Sequence, residues 1–370
     1  MKITEQSFSN YIFSHYANDS THFSQKGHEQ IVYFQDGATG LQAIVGIHDT
    51  TLGPAVGGLR FFAYQNEREA LKDVLRLSRG MTYKASIAGL DVGGGKAVLI
   101  KKKGTELTEA LLRKYGDFIE RLGGYYITAP DYNTTMDHMV DIAKSTRHVI
   151  GLPVALGGSG DPSKNTAYGV YIAMKATAKK TFGTDSLAGK KIGVAGIGKV
   201  GYFLVQLLCQ EQAIVYVADI CTHRLQAITA ACKVEVVAIE RLHNWPLDIY
   251  APCALGAVLN SETIPMLNCA MVVGAANNQL ADQDRDGKLL LKRGIVYTPD
   301  FLANAGGLIN AVTELAIKSQ DLVKQRTEQL YTICLDVLDK AAKAARPTQE
   351  VAEEMAIARI QSIKNAQLSR

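Results

Sequence analysis

Six residues, Gly196-Ile197-Gly198-Lys199-Val200-Gly201, leave this chain few folds to choose from. On its own a G-x-G-x-x-G run is common. Here an apolar strand over 190–195 precedes it, an apolar helix over 199–210 follows, and a second strand over 213–218 ends just before Asp219. That context is a complete βαβ unit. Its glycines permit a tight turn and close approach of a pyrophosphate to a helix N-terminus, where free N–H groups and the helix dipole favour anions. A carboxylate at Asp219 would accept hydrogen bonds from an adenosine ribose and repel a 2′-phosphate, which favours NAD over NADP. Arg224 lies close enough to leave some room for both.

The alternation continues on both sides. Strand-like runs at 249–251, 271–274 and 295–297, with a helix over 223–231, extend a parallel sheet built on right-handed crossovers. Upstream, strands are predicted at 30–34 and 41–48, a helix over 67–81, a helix over 106–121 and a strand at 125–128. Residues 1–25 are read as one short helix. The cluster Gly157-Gly158-Ser159-Gly160-Asp161-Pro162-Ser163 breaks the pattern and marks a hinge, with a helix over 166–181 beyond it. The last seventy or so residues are helical with one interruption at Pro347, where Thr348 is expected to act as N-cap. The fold class is α/β with two domains. Residues 1–150 form a first α/β domain, and 151–334 form a Rossmann-type doubly wound NAD domain.

Composition excludes several classes. The 370 residues are 47% hydrophobic and 21% charged, with a net charge of +4, and no basic stripe interleaves with aromatics, so nucleic acid is disfavoured. No run approaches ~18 apolar residues, against a membrane span, and no apolar leader follows the N-terminus. All six cysteines lie from Cys209 onward without C-x-x-C spacing, which fits buried thiols in a reducing, cytoplasmic compartment. The eight histidines form no ligand set, so no metal is expected, and His48 and His138 read as structural or surface residues. There is no G-x-S-x-G to support nucleophilic hydrolysis.

The chemistry is carried by GMTYKASIAGLDVGGGK, residues 80–96. Lys84 and Lys96 flank a segment that ends in Gly93, Gly94 and Gly95, and the glycines are expected to leave Lys96 clear of neighbouring side chains. Two ammonium groups in one cleft lower each other's pKa, and desolvation adds to that. The more buried one can act as a base while the other holds a carboxylate. Asp131, just past a strand, could relay protons. Spacing alone does not bring the three together.

Over nearly its whole length the chain resembles the Glu/Leu/Phe/Val dehydrogenase family, nearest to the leucine type. The matching runs are HDTTLGPAVGGLR (48–60), LRLSRGMTYKASIAGLDVGGGKAV (75–98), TAYGV (166–170), the glycine motif, APCALG (251–256), GAANNQL (274–280) and PDFLANAGGLIN (299–310). The resemblance implies oxidative deamination of an L-amino acid with NAD to a 2-oxo acid and ammonium, in a homo-oligomer (dimer or octamer), with residues 1–150 plus 335–370 as the substrate-binding and oligomerisation domain. It gives Lys84 the substrate carboxylate, Lys96 the activation of water and Asp131 the proton shuttle. Thr166 and Asn278 would face the nicotinamide. Gly196, Gly198, Lys199, Val200, Gly201 and Asp219 belong to the dinucleotide site, with Lys199 either on a phosphate or turned to water. Pro130, Tyr132 and Asn133 depart from the family pattern around Asp131.

By the same resemblance Val56, Gly57, Ala129, Leu308 and Ala311 line the side-chain pocket. They include no cation to meet a second carboxylate, so glutamate is disfavoured. Leucine, valine and isoleucine fit first. A larger Leu308 and a smaller Ala311 than leucine-type relatives carry could instead suit an aromatic side chain, phenylalanine or tryptophan. A third reading, an NAD-binding sensor weakened in catalysis, rests only on the altered loop at 130–133.

Overall fold

A computed structural model of the protein describes residues 27–102, 104–315 and 319–369. The helix expected in 1–25 lies outside them. The first half builds one mixed sheet from β1 (Gln30–Asp36), β2 (Leu41–Asp49), β3 (Ala55–Phe62), β4 (Gly93–Ile100) and β5 (Tyr126–Pro130), in the order β1-β2-β4-β3-β5. β1, β2 and β4 pair antiparallel, while β3 runs parallel to both β4 and β5. Helices α1 (Glu67–Ile87), α2 (Glu109–Arg121) and α3 (Met136–Ala143) complete this half. α1 covers one face of the sheet, burying Ala70, Leu71 and Val74 against Ile44 and Val98. α2 covers the other with Leu111, Leu112, Tyr115 and Ile119.

The second half runs α4 (Ser163–Phe182), β6 (Lys191–Ala195), α5 (Lys199–Gln210), β7 (Ile214–Ala218), α6 (Thr222–Ala231), β8 (Val234–Val236), α7 (Ile239–Leu242), β9 (Ile249–Pro252), β10 (Met271–Val272), α8 (Gln283–Lys292) and β11 (Val296–Tyr297). Its six strands are all parallel, in the order β11-β10-β9-β6-β7-β8. The chain leaves β6 toward β7 and β8, then crosses back to β9, so the switch point lies between β6 and β9. α9 (Asp300–Ala303), α10 (Gly306–Thr313), α11 (Gln320–Glu328), α12 (Leu330–Ala344) and α13 (Thr348–Leu368) end the chain. α12 spans the expected boundary at 334/335 and packs on α4, whereas α13 returns to α1. One apolar cluster runs from Val56 and Leu90 through α4 to Val194 and Leu308, so the two halves share core.

Several elements differ from expectation. β3 has no counterpart among the expected elements; Gly57 and Gly58 sit inside it with neighbouring chain packed against them. α3 is short, and His138 takes part in its N-terminal capping box with Thr135. α1 runs on to Ile87, which places Lys84 in its last turn. β4 begins at Gly93, so the three glycines belong to the strand that carries Lys96. The N-cap of α13 is Pro347, and the Thr348 hydroxyl instead donates to the Tyr297 carbonyl at 2.6 Å. Of the six cysteines, all free, only Cys334 is buried.

Candidate active site

Lys96 is the fourth residue of β4, the central strand of the first sheet. Strand alternation puts Gly94, Lys96 and Val98 on the face that α1 covers. A Cβ on Gly94 would stand 2.1 Å from the Thr82 backbone nitrogen of α1. The glycine therefore lets helix and strand touch at the backbone, which corrects the expectation that it clears space around Lys96. Lys96 itself is 5% exposed.

Its ammonium lies 2.8 Å from Asp131 Oδ2. The two meet because Leu59 of β3 pairs with Ala97 on one side and Pro130 on the other, setting the rows of β4 and β5 level. Gly58 makes the room, since a Cβ there would stand 2.6 Å from the Asp131 Cβ. The departures at 130–133 do not pull the loop away. Thr134 Oγ1 donates to the Leu59 carbonyl at 2.7 Å, the Asp131 N–H donates to Thr134 Oγ1 at 2.8 Å, and Asn133, at φ 61°, donates from Nδ2 to the Phe61 carbonyl. Burial opposes ionisation of Asp131, but Lys96 and then Arg60 outweigh it and bring the carboxyl down to about 2.

Lys84 faces the same cleft from α1. Its Nζ donates to Asn304 Oδ1 at 2.6 Å, and Asn304 Nδ2 donates onward to the Ala275 carbonyl and Asn277 Oδ1. Burial lowers the Lys84 pKa to about 8; Asp300 and Asp131 oppose that shift and Lys96 adds to it. Asp300 is raised by burial and accepts from the Asn278 N–H. Asn278 itself takes a positive φ of 52°. Thr166, in the first turn of α4, donates to the Pro162 carbonyl at 3.0 Å. Val56 and Leu308 are buried in the shared apolar cluster, with Ala129 and Ala311 packed at its edge. The Gly57 carbonyl accepts from the buried Tyr126 hydroxyl at 2.7 Å.

The glycine motif sits at the switch point. Gly196 has φ 105°, and a Cβ there would stand 2.6 Å from that of Ala254 in the loop after β9. A Cβ on Gly201 would lie 2.0 Å from the Gly196 carbonyl oxygen. A Cβ on Gly198, the N-cap of α5, would meet nothing within 4 Å. Two glycines close the turn and the third leaves backbone open at a helix N-terminus, which fits a dinucleotide pyrophosphate. Asp219 is bonded to the motif: its Oδ2 accepts from the Ile197 N–H at 2.6 Å and its Oδ1 from the Cys221 N–H at 2.7 Å. A carboxylate has about four acceptor sites, so two bonds do not exhaust it, but the Asp219 side chain is only 4% exposed where it stands. Arg224 lies 3.7 Å from the same carboxylate. Val200 packs at the edge of the core. Lys199 is turned to water, 74% exposed at the side chain, with its Nζ 2.7 Å from Asp161 of the hinge.

Sequence reasoning passed over Asn304, Asp300 and Arg60. Each had a signal: a polar residue inside the apolar run FLANAGGLI, an acid between Pro299 and Phe301, and the single charge in AVGGLRFF.

A mixed sheet bearing a lysine–aspartate pair, facing a doubly wound sheet with an open glycine loop, defines a two-domain amino-acid oxidoreductase. The chain belongs to the Glu/Leu/Phe/Val dehydrogenase family: the model of that family's dimerisation domain matches residues 28–148, and the Glutamate/Leucine/Phenylalanine/Valine dehydrogenase model matches 157–222 and 221–370. Leucine dehydrogenase of Thermoactinomyces intermedius is 45% identical over 337 residues, covering 91% of this chain and 92% of that one. Phenylalanine dehydrogenase of Lysinibacillus sphaericus is 44% identical over 330 residues, covering 88% and 86%. The crystal structure of L-tryptophan dehydrogenase from Nostoc punctiforme superposes with a TM-score of 0.83 at 37% identity, covering 94% of this chain and 99% of that one. Among the described residues no helix is long and apolar enough to cross a membrane.

Proposed function

We propose that the protein catalyses reversible NAD-dependent oxidative deamination of an apolar L-amino acid, with leucine, valine and isoleucine as first substrates. The observation that carries this reading is the 2.8 Å pair of Lys96 and Asp131 on the wall that also presents Lys84. In this scheme Lys84 holds the substrate α-carboxylate, exchanging its bond to Asn304 for one to the ligand. Asp131 takes a proton from the substrate ammonium, leaving a neutral amine. NAD⁺, when bound across Gly198, supplies the acceptor for the hydride that leaves the α-carbon. Lys96, having released its own proton to solvent, then takes one from water as the water attacks the resulting iminium carbon. Asp131 returns a proton to the nitrogen, and as the C–N bond breaks the hydroxyl proton passes to the departing ammonia, leaving ammonium and the 2-oxo group. Closing the cleft between the two halves excludes bulk water from the iminium.

The division of labour follows the two sheets. Residues 1–150 with 335–370 bind substrate and carry the contacts of a homo-oligomer, and 151–334 bind NAD. The Asp219 carboxylate supports NAD over NADP. Val56, Ala129, Leu308 and Ala311 offer an apolar pocket without a cation, which suits an aliphatic side chain. The similarity to a phenylalanine dehydrogenase and to a tryptophan dehydrogenase structure supports a second reading, an aromatic substrate, with the small Ala311 giving the space. One methylene in such a pocket is worth only ~1–3 kcal/mol of discrimination. The test is NADH production at alkaline pH with a panel of L-amino acids. Highest kcat/KM with leucine, valine or isoleucine supports the first reading, and highest kcat/KM with phenylalanine or tryptophan the second. NADH binding without turnover on any of them contradicts both.

A further inference from the structure

Asp131 is held by more than Lys96. Arg60, in the middle of β3, donates from Nε to Asp131 Oδ2 at 3.2 Å and from NH1 to Asp73 Oδ2 at 2.8 Å. The Tyr64 hydroxyl donates to the same Asp73 oxygen at 2.8 Å, and Arg76 reaches the other oxygen at 3.2 Å. Asp73 lies on α1, so the guanidinium ties the helix that carries Lys84 to the loop that carries Asp131. Arg60 and Asp73 are 24% and 15% exposed at the side chain. A planar guanidinium can span two carboxylates at fixed geometry, whereas an ammonium is a point charge that cannot. Both cations at Asp131 meet Oδ2, leaving Oδ1 as the oxygen that takes up and hands on a proton.

We propose that Arg60 is a positioning residue, anchored by Asp73 and Tyr64, which fixes the rotamer in which Asp131 meets Lys96. The inference rests on the amino-acid dehydrogenase reading for its kinetic consequences. Without the guanidinium, the Asp131 side chain has a single cation to hold it, and its carboxylate samples positions off the reacting nitrogen. The charged and titratable groups that face Asp131 are Lys96 of β4 and Arg60 of β3, with Lys84 of α1 and Tyr126 of β5 within electrostatic reach. Removing one cation from this set raises the carboxyl pKa, so the acid limb of the rate profile moves to higher pH.

The experiment compares wild type with Arg60→Gln, Arg60→Lys and Asp73→Asn. Arg60→Gln is expected to lower kcat on the order of ten- to a hundredfold. The KM for the amino acid should stay near the wild-type value, because Lys84 is untouched, and the acid limb should move up. Arg60→Lys should restore part of kcat and most of the limb, and Asp73→Asn should show a smaller loss in the same direction. A residue that merely stabilised the fold would lower thermal stability without moving the limb. Equal kcat and an unmoved profile in Arg60→Gln would overturn the proposal. Crystal structures of wild type and Arg60→Gln decide it without turnover: Asp131 leaving Lys96 in the variant supports positioning, and an unmoved carboxylate refutes it. A wild type inactive on every amino acid sinks the proposed function, while the crystallographic comparison still settles the role of Arg60.

Discussion

Asp131 with Lys96 is a pair whose members have unequal burial, and that inequality suits their tasks. Lys96 is nearly enclosed, while the Asp131 side chain is 25% exposed and can exchange protons with a ligand. Replacing Asp131 by Asn keeps the shape and removes the proton acceptor, so kcat should fall on the order of 10²–10⁴-fold, the usual worth of a positioned acid–base group. The check is steady-state deamination kinetics on a variant whose NADH affinity is unchanged. Lys84→Ala should act differently. It removes the cation proposed to meet the carboxylate, and truncating a charged partner costs about 2–5 kcal/mol of binding. A rise in KM for the amino acid larger than the fall in kcat is expected; a variant with unchanged KM would place the carboxylate elsewhere.

The glycines act through the elements they join. Gly201→Ala sets a Cβ 2.0 Å from a carbonyl oxygen and should destabilise the second half by about 1–3 kcal/mol or more. Gly198→Ala meets nothing in the protein, so melting should be unchanged while NADH affinity falls. Equal effects of the two on melting would refute the view that only Gly198 faces the ligand. On the other sheet, His48 of β2 is buried, with Nδ1 2.9 Å from Thr82 Oγ1 of α1 and its ring edge-on to His28. Burial, with His28 adding to it, lowers its pKa to about 4. The unfolded chain takes up this proton first as pH falls from about 6.5, so stability is full above that value and lost progressively down to about 4. His48→Gln should flatten the dependence of melting temperature on pH in that window. An equally steep dependence in the variant would remove His48 as its cause. The βαβ unit at 190–218 was legible because its apolar periods and its glycines agree. β3 was not, because a strand that holds two glycines for close backbone packing looks like a turn until its neighbours are known.

At the scale of the whole molecule, the cleft is the product of two halves tied by Lys84–Asn304, with Lys199–Asp161 joining the hinge to the glycine motif. The identity of the two lysines and the aspartate was readable from the resemblance. Their convergence was not, because it depends on Leu59 pairing with strands that enter the sheet 38 and 71 residues later. Asn304 was equally hidden, being distant in sequence from the lysine it holds. Cofactor choice is a molecule-scale property as well. Asp219→Ala should weaken NADH binding and loosen the glycine loop it bonds, and a wild type that prefers NADP⁺ would refute the role given to its carboxylate. The central claim, that Lys96 activates water beside Asp131, is tested most directly by turnover of Lys96→Ala on the best substrate of the panel, with NADH binding measured in parallel. The account predicts intact NADH binding with kcat lowered on the order of a thousandfold or more; full turnover in that variant would contradict it.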